Sequence, residues 1–356
     1  MDINTMKNIL MCGSSLTVKG GMVSVVKNYL EYEGWDDYRI IYVPTHIEKN
    51  KYALMLFFGW AYVKILFFIL TRHIDIAHLH MAERGSFYRK AFLVRTLNFF
   101  GVKTILHHHG AEFELFYESL SDKQKKYVSD ILEKADLNVV LSRRLVSMVA
   151  DKAPAAKIEV LYNAVPVYGH NPFNTNAKNI LFLGRLGKRK GVYDLLDALL
   201  ILNNRMNEDV KVYLCGDGDV EAVTVKVAQM GLEHRIAHIG WINNVKREEF
   251  LKNTMINVLP SYNEGLPMTV LETMAYGIPN ISTNIASIPE VLHDGENAFL
   301  IAPGDVELLV LYIKRLVEND EMRRLFSEKS YRLISEKFSL NYNIEQLKGI
   351  YVKILQ

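Results

Sequence analysis

The sequence predicts an α/β protein built from two parallel, doubly wound sheets. Short apolar runs rich in β-branched residues alternate with longer helical patterns along the whole chain. The apolar runs are continuous rather than alternating with polar residues, which is typical of parallel strands covered by helices on both faces. The chain has 356 residues, of which 49% are hydrophobic, and this is enough for two domains of roughly 150 residues each.

The predicted strands form two series of six, so we expect two similar domains. The first series lies near residues 7–12, 38–43, 74–79, 103–108, 136–141 and 157–161. The second series lies near residues 178–183, 210–214, 236–240, 255–259, 278–282 and 298–301. An Asn- and Pro-rich stretch at 162–179 separates them, which places the two domains at 1–165 and 176–340. The last helix, 341–356, follows the second series and is expected to pack back onto the first domain.

Residues 52–70, YALMLFFGWAYVKILFFIL, are long and apolar enough to span a membrane, with Lys64 as the one charge. A span would put the strand runs before and after it, KNILMC and HIDIAHLH, on opposite sides of the membrane and would split one sheet. We therefore expect a fully buried helix, or a helix that rests on a membrane surface while Lys64 reaches for water. A true span is the alternative.

The net charge and the cysteines limit the partners and the cellular compartments that fit this sequence. The net charge of +2 does not require a nucleic-acid partner. Residues 1–170 hold 21 basic and 17 acidic side chains, so the first half is mildly basic, which fits a solvated face or an anionic surface nearby. Cys12 and Cys215 each end an apolar run before a glycine, which favours buried thiols in a reducing cytoplasm over a disulfide. The first residues do not match a signal peptide.

The stretch SYNEGLPMTVLETMAYG, residues 261–277, predicts an anion site. It follows the apolar run INVLP, and Pro267 suits the first position of a helix that runs from about Met268 to Tyr276. The first turn of such a helix presents free N–H groups and a positive dipole end. Glu264 precedes the helix, and Glu272 lies one turn into it, where a carboxylate can accept bonds from two ribose hydroxyls. The alternative is a capped helix with a solvent-facing glutamate.

Two further loops after predicted strands suit phosphate. In FLGRLGKRKG, residues 182–191, Arg185 and Lys190 flank a glycine-containing loop, where an Arg fork and a Lys point charge fit a diphosphate; a basic surface turn is the alternative. Gly20 and Gly21 follow the first strand, where the backbone can approach a ligand closely. The order GxGxxG is missing there, which disfavours a dinucleotide-dependent dehydrogenase. Gly216 lies in a similar position but also fits a tight turn.

Three adjacent histidines end the fourth strand, in TILHHHGAEF. On a strand, His107 and His109 point to one face and His108 to the other. No carboxylate pattern accompanies them, so we do not expect a metal site. His109, at the strand end before Gly110, is the candidate for a functional histidine, and a packed structural histidine is the alternative.

These motifs carry a family resemblance. GRLGKRKG, NEGLPMTVLETMAYGIP and SIPEVLHDGENAFLIAPGD resemble the C-terminal domain of retaining glycosyltransferases of family 4, of the bacterial polysaccharide-biosynthesis type. KGGM and HHHGAEF resemble the N-terminal motifs of the same family. The resemblance implies a GT-B fold, in which two Rossmann-like domains face each other across a cleft. The acceptor lies mostly on the first domain and the sugar nucleotide on the second.

The resemblance also implies roles for single residues. Arg185 and Lys190 would hold the diphosphate, Glu264 the donor sugar and Glu272 the ribose. His109 would touch the sugar near the reacting centre, so the catalytic set is His109, Glu264, Arg185 and Lys190. The other donor-binding residues would be Gly20, Gly21, Gly184, Gly216, Trp241, Ile242, Gly265, Leu266, Pro267 and Met268. Two positions depart from the family pattern, since Ala286-Ser287 replaces a Gly-Gly pair and Arg189 replaces an acidic residue.

The implied reaction moves a sugar from a nucleotide-diphosphate sugar, most readily a UDP-sugar and next a GDP-sugar, to a hydroxyl of a glycan or lipid-linked glycan. Configuration would be retained, and neither a metal nor a cofactor would be required. This activity fits O-antigen or capsule assembly by a protein held at the cytoplasmic face of the membrane. The alternatives are a non-catalytic nucleotide-sugar sensor or scaffold, which need not keep His109 or Glu264, and a nucleotide-sugar epimerase.

Overall fold

The computed structural model describes residues 6–356, which form two compact units. The first unit takes the chain up to Asn163 together with residues 341–356, and the second comprises Ala164–Leu340. Each unit contains one six-stranded sheet in which every neighbouring pair of strands is parallel. Helices follow most of the strands, so the predicted α/β fold class is confirmed.

The first sheet has the strand order β2-β1-β3-β4-β5-β6. Its strands are β1 (Lys7–Gly13), β2 (Tyr38–Pro44), β3 (Ile76–Met81), β4 (Lys103–His108), β5 (Leu137–Val140) and β6 (Ile158–Val160). Its helices are α1 (Gly21–Glu31), α2 (Lys51–Thr71), α3 (Gly85–Phe99), α4 (Phe113–Glu118), α5 (Asp122–Lys134) and α6 (Val146–Ala150). The last helix of the chain, α13 (Leu340–Leu355), joins this unit and buries Ile344, Leu347 and Tyr351.

The second sheet has the strand order β12-β11-β10-β7-β8-β9, which is the Rossmann order. Its strands are β7 (Asn179–Leu183), β8 (Val212–Cys215), β9 (Ile236–Gly240), β10 (Thr254–Leu259), β11 (Asn280–Thr283) and β12 (Ala298–Ile301). Its helices are α7 (Val192–Leu202), α8 (Val220–Gln229), α9 (Asn244–Lys252), α10 (Met268–Ala275), α11 (Val306–Glu318) and α12 (Asp320–Lys337).

The second sheet changes direction between β7 and β10, its topological switch point. The chain moves outward from β7 through β8 and β9 on one side, and from β10 through β11 and β12 on the other. The chain segments that leave β7 and β10 therefore continue to opposite sides of the sheet, and the carboxyl ends of these two strands mark the place where open α/β sheets bind ligands. These two loops carry GRLGKRKG and SYNEGLP, the two motifs that the sequence analysis singled out.

All twelve predicted strands are present between residues 6 and 356, and their ends differ from the predicted ones by at most two residues. The strands could be predicted because strands covered on both faces are apolar along their length. Three of them are buried at every residue: Ile76–Met81, Thr254–Leu259 and Asn280–Thr283. Cys12 and Cys215 are free, buried thiols, and burial raises the pKa of each to about 12.

The expectation of a fully buried helix at residues 52–70 is wrong. The segment does form a helix, but within α2 the buried residues are Ala61 and Ile65. Phe58, Tyr62, Phe68 and Ile69 pack partly against the core of the first unit. The opposite face exposes large apolar side chains: Tyr52, Met55, Leu56, Trp60, Val63, Phe67 and Leu70. Within the described chain, this is the one helix that is long and apolar enough to cross a membrane.

Candidate functional site

The loops after β7 and β10 pack backbone to backbone at the switch point of the second sheet. The Tyr262 N–H donates to the carbonyl oxygen of Arg189 over 2.8 Å, and the Arg189 guanidinium donates to the Asn263 carbonyl over 3.3 Å. A Cβ atom on Gly191 would lie 2.0 Å from the Pro260 oxygen. Only glycine therefore fits there, and the two loops hold each other in a fixed relation.

Lys190 and Glu264 form an ion pair between these two loops. Their side chains are 16% and 5% exposed, so the pair is largely removed from water. Ser261 also donates to Glu264, from its hydroxyl to Oε1 over 2.7 Å. Both bonds fall on Oε1 of the carboxylate, which is thereby held in one orientation beside the ammonium group.

The loop after β7 lines a pocket of about 240 Å³ formed by residues 185–190 and Asp219. Four of these side chains are basic and one is acidic, so the pocket suits a polyanion such as a diphosphate. Arg185 is exposed at its mouth. The N–H of Leu186 donates to Asp217 O over 2.6 Å, and the N–H of Asp219 donates to Leu186 O over 2.9 Å, so the loop after β8 supports this wall.

The glycines near this pocket allow two loops to approach each other closely. A Cβ atom on Gly216 would lie 1.8 Å from the oxygen of Gly184, so the two loops touch at this point. Gly218 has a φ of +102° and approaches Leu186 O in the same way. Gly216 thus fits the tight turn given as its alternative role, and together with Gly218 it lets the loop after β8 support the loop that carries Arg185.

The helix α10 starts at Met268, as predicted, and ends one residue before the predicted Tyr276. Pro267 is its N-cap rather than its first helical residue, and the helix runs from Met268 to Ala275. Leu266 and Met268 are buried, so their side chains pack into the protein and are not available to a ligand. Gly265 accepts a bond from the Ser287 N–H at 3.4 Å. Free N–H groups at the N-terminus of a helix give it a partial positive charge.

Glu272, the second predicted carboxylate, has a partner of its own. It forms an ion pair with Arg247 of α9, and the two side chains are 16% and 30% exposed. Burial lowers the pKa of the Arg247 guanidinium. The Oε2 atom that faces Arg247 is buried, while the Glu272 side chain as a whole keeps 16% of its surface exposed.

Trp241 and Ile242 follow β9, which is the edge strand next to β8. Trp241 is 54% exposed, whereas Ile242 is buried in a small cluster with Leu181, Leu183 and Cys215. More than half of the Trp241 surface is therefore accessible.

In the first unit, Gly20 and Gly21 lie at the N-terminus of α1. Gly20 is the N-cap with a φ of +139°, a conformation that side chains rarely adopt. No atom of residues 6–356 lies within 4 Å of the position that its Cβ would take, which leaves room for a ligand beside the backbone. Gly21 begins the helix.

His109 follows β4 and is half-buried, next to a cluster of buried histidines. As predicted from the strand period, His107 and His109 share one face, where His78 and His80 of β3 join them. His108 points to the other face and bonds to Asn138 Oδ1 at 3.1 Å. His80 Nδ1 lies 2.8 Å from His109 Nε2, and His78 Nε2 lies 3.0 Å from His107 Nδ1. Burial lowers the pKa of His109 to about 3, so its ring is neutral.

His78, His80 and His107 bring ring nitrogens within 4.8 Å of one another, as metal ligands would. Their geometry is that of stacked rings: His78 and His80 are 4.5 Å apart between centroids with planes 10° apart. Imidazole lone pairs lie in the ring plane, so two parallel rings do not converge on one ion. Both nitrogens of His78 also have partners, His107 and the Tyr351 hydroxyl. The three rings fit a hydrogen-bonded packing better than a metal centre.

Four residues that lie next to the predicted site residues or to their neighbours were not expected from the sequence: Ser261, Arg247, His78 and His80. Ser261 and the HLH pair of β3 carried a signal, because the serine opens the NEGLP loop and the histidines repeat with the strand period. Arg247 carried none, because it lies on an exposed-looking polar helix that only the fold brings to Glu272.

Comparison with known proteins agrees with this architecture. Residues 169–333 match the model for group 1 glycosyl transferases, and residues 23–167 match the model for glycosyltransferase family 4. Together the two matches cover most of the chain. The chain is a GT-B glycosyltransferase of family 4.

Solved structures share the fold of this glycosyltransferase. Sucrose-phosphate synthase from Thermosynechococcus elongatus superposes with a TM-score of 0.80 at 15% identity, over 98% of this chain and 99% of that one. Anabaena HepE, solved in complex with UDP, gives a TM-score of 0.76 at 15% identity, over 98% and 100%. At these identities the likeness concerns the fold.

Two curated relatives are closer in sequence. An uncharacterized 41.2 kDa protein in the cps region of Klebsiella pneumoniae is 27% identical over 321 residues, 83% of this chain and 86% of the relative. The lipopolysaccharide 1,6-galactosyltransferase of Salmonella typhimurium is 29% identical over 222 residues, 59% of this chain and 60% of the relative.

Proposed function

We propose that this glycosyltransferase moves a sugar from a nucleotide-diphosphate sugar to a hydroxyl of a growing cell-surface glycan, with retention of configuration and without a metal. The observation that carries the proposal is the Lys190–Glu264 pair, which lies at the switch point beside a basic pocket. A cation beside a fixed carboxylate suits a substrate that is anionic at its diphosphate and polyhydroxylated at its sugar.

In the proposed reaction the bond between the anomeric carbon and the diphosphate oxygen breaks, while the acceptor oxygen bonds to the same carbon. The acceptor proton passes to the departing diphosphate on the same face of the sugar, which retains configuration. Negative charge grows on the diphosphate, and Arg185, Lys190 and the N-terminus of α10 would stabilise it. Fixed cations can supply this stabilisation without a metal.

The remaining residues would hold the donor. Glu264 would accept bonds from sugar hydroxyls, Glu272 would accept bonds from the ribose, and the exposed face of Trp241 would lie against the base. On the first unit, the open backbone at Gly20 and Gly21 would meet the diphosphate, and His109 would contact the sugar. The neutral state of His109 suits a hydrogen bond to a hydroxyl.

We infer that UDP-sugars are the first donors to test, followed by GDP-sugars. Support comes from a fold relative, since Anabaena HepE has been solved with UDP and with UDP-glucose. The cps region of one relative and the lipopolysaccharide activity of another support a glycan of the capsule or lipopolysaccharide type.

We further propose that the acceptor is carried on a lipid at the cytoplasmic face of the membrane, and that α2 rests on that surface. The exposed face of α2 carries seven large apolar side chains along a helix about 30 Å long. The helix contains Lys51 and Lys64 and no acidic residue, which favours an anionic bilayer. Lys64 lies 5.2 Å from the Trp60 ring centroid and 5.7 Å from that of Phe68, so its stem follows the apolar surface.

The second candidate function is a nucleotide-sugar sensor or scaffold on the same fold. It requires the basic pocket but neither a fixed Glu264 nor His109. Both residues are present, and Ser261 and Lys190 hold Glu264 in place, which favours the enzyme.

The first experiment is a thermal-shift titration with UDP, GDP, ADP and CMP in buffer containing a chelator. A nucleotide at 100 times its Kd stabilises the fold by about 2.7 kcal/mol. We expect selective stabilisation by UDP, followed by transfer from the matching sugar nucleotide to a lipid-linked acceptor, measured by release of free nucleotide. Stabilisation without transfer to any acceptor would favour the scaffold, and absence of stabilisation would contradict the donor site.

A further inference from the structure

The bond between His80 and His109 links the proposed catalytic histidine to the buried face of the first sheet. His80 is completely buried, and its Nδ1 lies 2.8 Å from His109 Nε2. Their ring centroids are 5.0 Å apart and their planes differ by 28°, so the rings meet edge to edge, as an in-plane hydrogen bond requires. We propose that His80 is a positioning residue, which fixes both the orientation and the tautomer of His109. This inference rests on the proposed function for the role of His109, but the bond itself can be tested without turnover.

The histidines of this cluster are neutral. Burial lowers the pKa of His78 to about 3 and holds the pKa values of His80 and His107 well below their usual range. A neutral imidazole has one N–H donor and one acceptor nitrogen. Each bond between two of these rings therefore has a direction, and the tautomer of one ring sets the tautomer of the next.

His108 shows which nitrogen carries the proton when one of the two has no partner. Asn138 donates through Nδ2 to the carbonyl oxygens of Leu132 and Lys157, at 2.7 Å and 3.4 Å, so its Oδ1 must face His108. Oδ1 only accepts, and His108 Nε2 therefore carries the hydrogen. The other nitrogen, Nδ1, is buried without a partner in the described structure and is the bare one. An orphaned lone pair is tolerated more readily than an orphaned N–H.

The same rule fixes the direction of the His80–His109 bond. His80 Nε2 is buried and has no hydrogen-bond partner among residues 6–356, so it is the bare nitrogen. The hydrogen of His80 then lies on Nδ1, which donates to His109 Nε2. His109 Nε2 accepts, which leaves its own hydrogen on Nδ1. His109 is thus presented to its ligand as an Nδ1–H donor.

His107 follows the same pattern and supplies a matched control. Its Nε2 is also buried without a partner in the described part of the chain, so its Nδ1 donates to His78 Nε2. His78 then donates from Nδ1 to the Tyr351 hydroxyl over 2.7 Å. His78 and His80 lie on the same strand and the same face, and both are fully buried. In the described structure, however, His78 bonds to His107 and Tyr351 and not to His109.

The test compares His80→Asn, His80→Gln and His78→Asn in the full chain. The Nδ2 of asparagine can occupy the place of His Nδ1 and donate to His109, whereas glutamine reaches only the place of Nε2. With histidines labelled by ¹³C and ¹⁵N, ring shifts report each tautomer, and the His109→Ala spectrum assigns His109. We expect His109 to be the Nδ1–H tautomer in the wild type, in His80→Asn and in His78→Asn, and a mixture in His80→Gln. An Nε2–H tautomer in the wild type would overturn the proposal.

The kinetic arm separates positioning from folding. We expect His80→Gln to lower kcat by about 10- to 100-fold with the KM for the donor little changed, because a misplaced group loses rate before it loses binding. His80→Asn should recover most of kcat, and His78→Asn should keep it. Equal loss in His80→Gln and His78→Asn would make His80 merely structural and overturn the proposal. Full activity of His109→Ala would instead overturn the role of His109 in the proposed function, while the tautomer result would still stand.

Discussion

Lys190 and Glu264 form an ion pair across the switch point of the second sheet, although 74 residues separate them in the chain. Lys190 follows β7 and Glu264 follows β10, so the pair exists only because these two strands are neighbours. The pair is largely buried, and a buried charge without its partner is expensive. One contact therefore ties the geometry of the proposed donor site to the stability of the sheet.

Removing one partner of this pair should affect catalysis and stability together. We expect Glu264→Ala to lower transfer by at least about 100-fold while UDP binding, read by thermal shift, stays within a few-fold. Lys190 is then left without its carboxylate, and we expect the free energy of unfolding to fall by about 1–3 kcal/mol, since the pair is not fully dry. Urea unfolding of Lys190→Met, Glu264→Ala and the double variant measures the coupling. Near-wild-type turnover of Glu264→Ala would contradict our role for this residue.

Glu272 should read the ribose through its carboxylate. We expect Glu272→Ala to weaken UDP binding by at least about 100-fold, because it removes two hydrogen bonds to a charged group and each contributes about 1.5–3 kcal/mol. The control is a UDP analogue that lacks both ribose hydroxyls, which should bind the wild type and the variant equally. Calorimetry gives the Kd of UDP and of the analogue for the wild type and for the variant, and the four values form a thermodynamic cycle. A variant that discriminates the analogue as strongly as the wild type would show that the ribose is bound elsewhere.

The buried histidines should make the protein sensitive to acid. A histidine has a pKa of about 6.5 when unfolded, whereas burial lowers that of folded His78 to about 3. The unfolded chain therefore binds more protons below pH 6.5, and stability that is complete above this value is lost as the pH falls. His78 alone should remove about 2 kcal/mol between pH 7 and pH 5.

Urea unfolding at both pH values measures this loss. The pH dependence in His78→Leu should be flatter by about the same 2 kcal/mol. An identical pH dependence in the wild type and this variant would argue that His78 is protonated in the folded protein.

The exposed face of α2 should bind anionic bilayers. We expect the wild type to float with vesicles that contain phosphatidylglycerol and to stay in solution with neutral vesicles. The double variant Leu56→Glu, Phe67→Glu should abolish flotation. Burial of each apolar side chain in the bilayer would contribute about 1–3 kcal/mol to binding, and the two substitutions remove both contributions. Both residues are exposed, so the melting temperature should not change.

Val352→Glu is the control for this experiment, because Val352 is an exposed apolar residue on α13. It should float like the wild type. A wild type that never floats at any anionic lipid content would refute this assignment of α2.

The sequence predicted the sheets and the loops that form the candidate site because their signals are local. A strand buried on both faces must be apolar along its length, and the residues that follow it in a parallel sheet reach the same edge. Lys190 and Glu264 could therefore be placed at one edge from their strands alone. Their direct contact could not, because it depends on β7 and β10 being neighbours rather than on either loop.

Other features depend on packing that no local pattern records. In α2, apolar residues cover every face, so the sequence does not say which face turns to the core, and burial was wrongly expected. His80 and His109 are 29 residues apart, and their bond depends on the register of β3 against β4, which sets His80 opposite His107. Arg247 belongs to a polar helix, and nothing near it in sequence points to Glu272.

The chain leaves the first unit after Asn163 and returns to it at Asn341, and the two crossings run side by side. Val165 bridges to Ser339, its N–H donates to Phe338 O over 3.1 Å, and the Leu340 N–H donates to Val165 O over 2.9 Å. The second unit is thus organised as an insertion whose two ends meet. It could be exchanged as one cassette for that of a relative, with α13 and the first sheet left intact, which offers a route to chimeras with a new donor and the old acceptor.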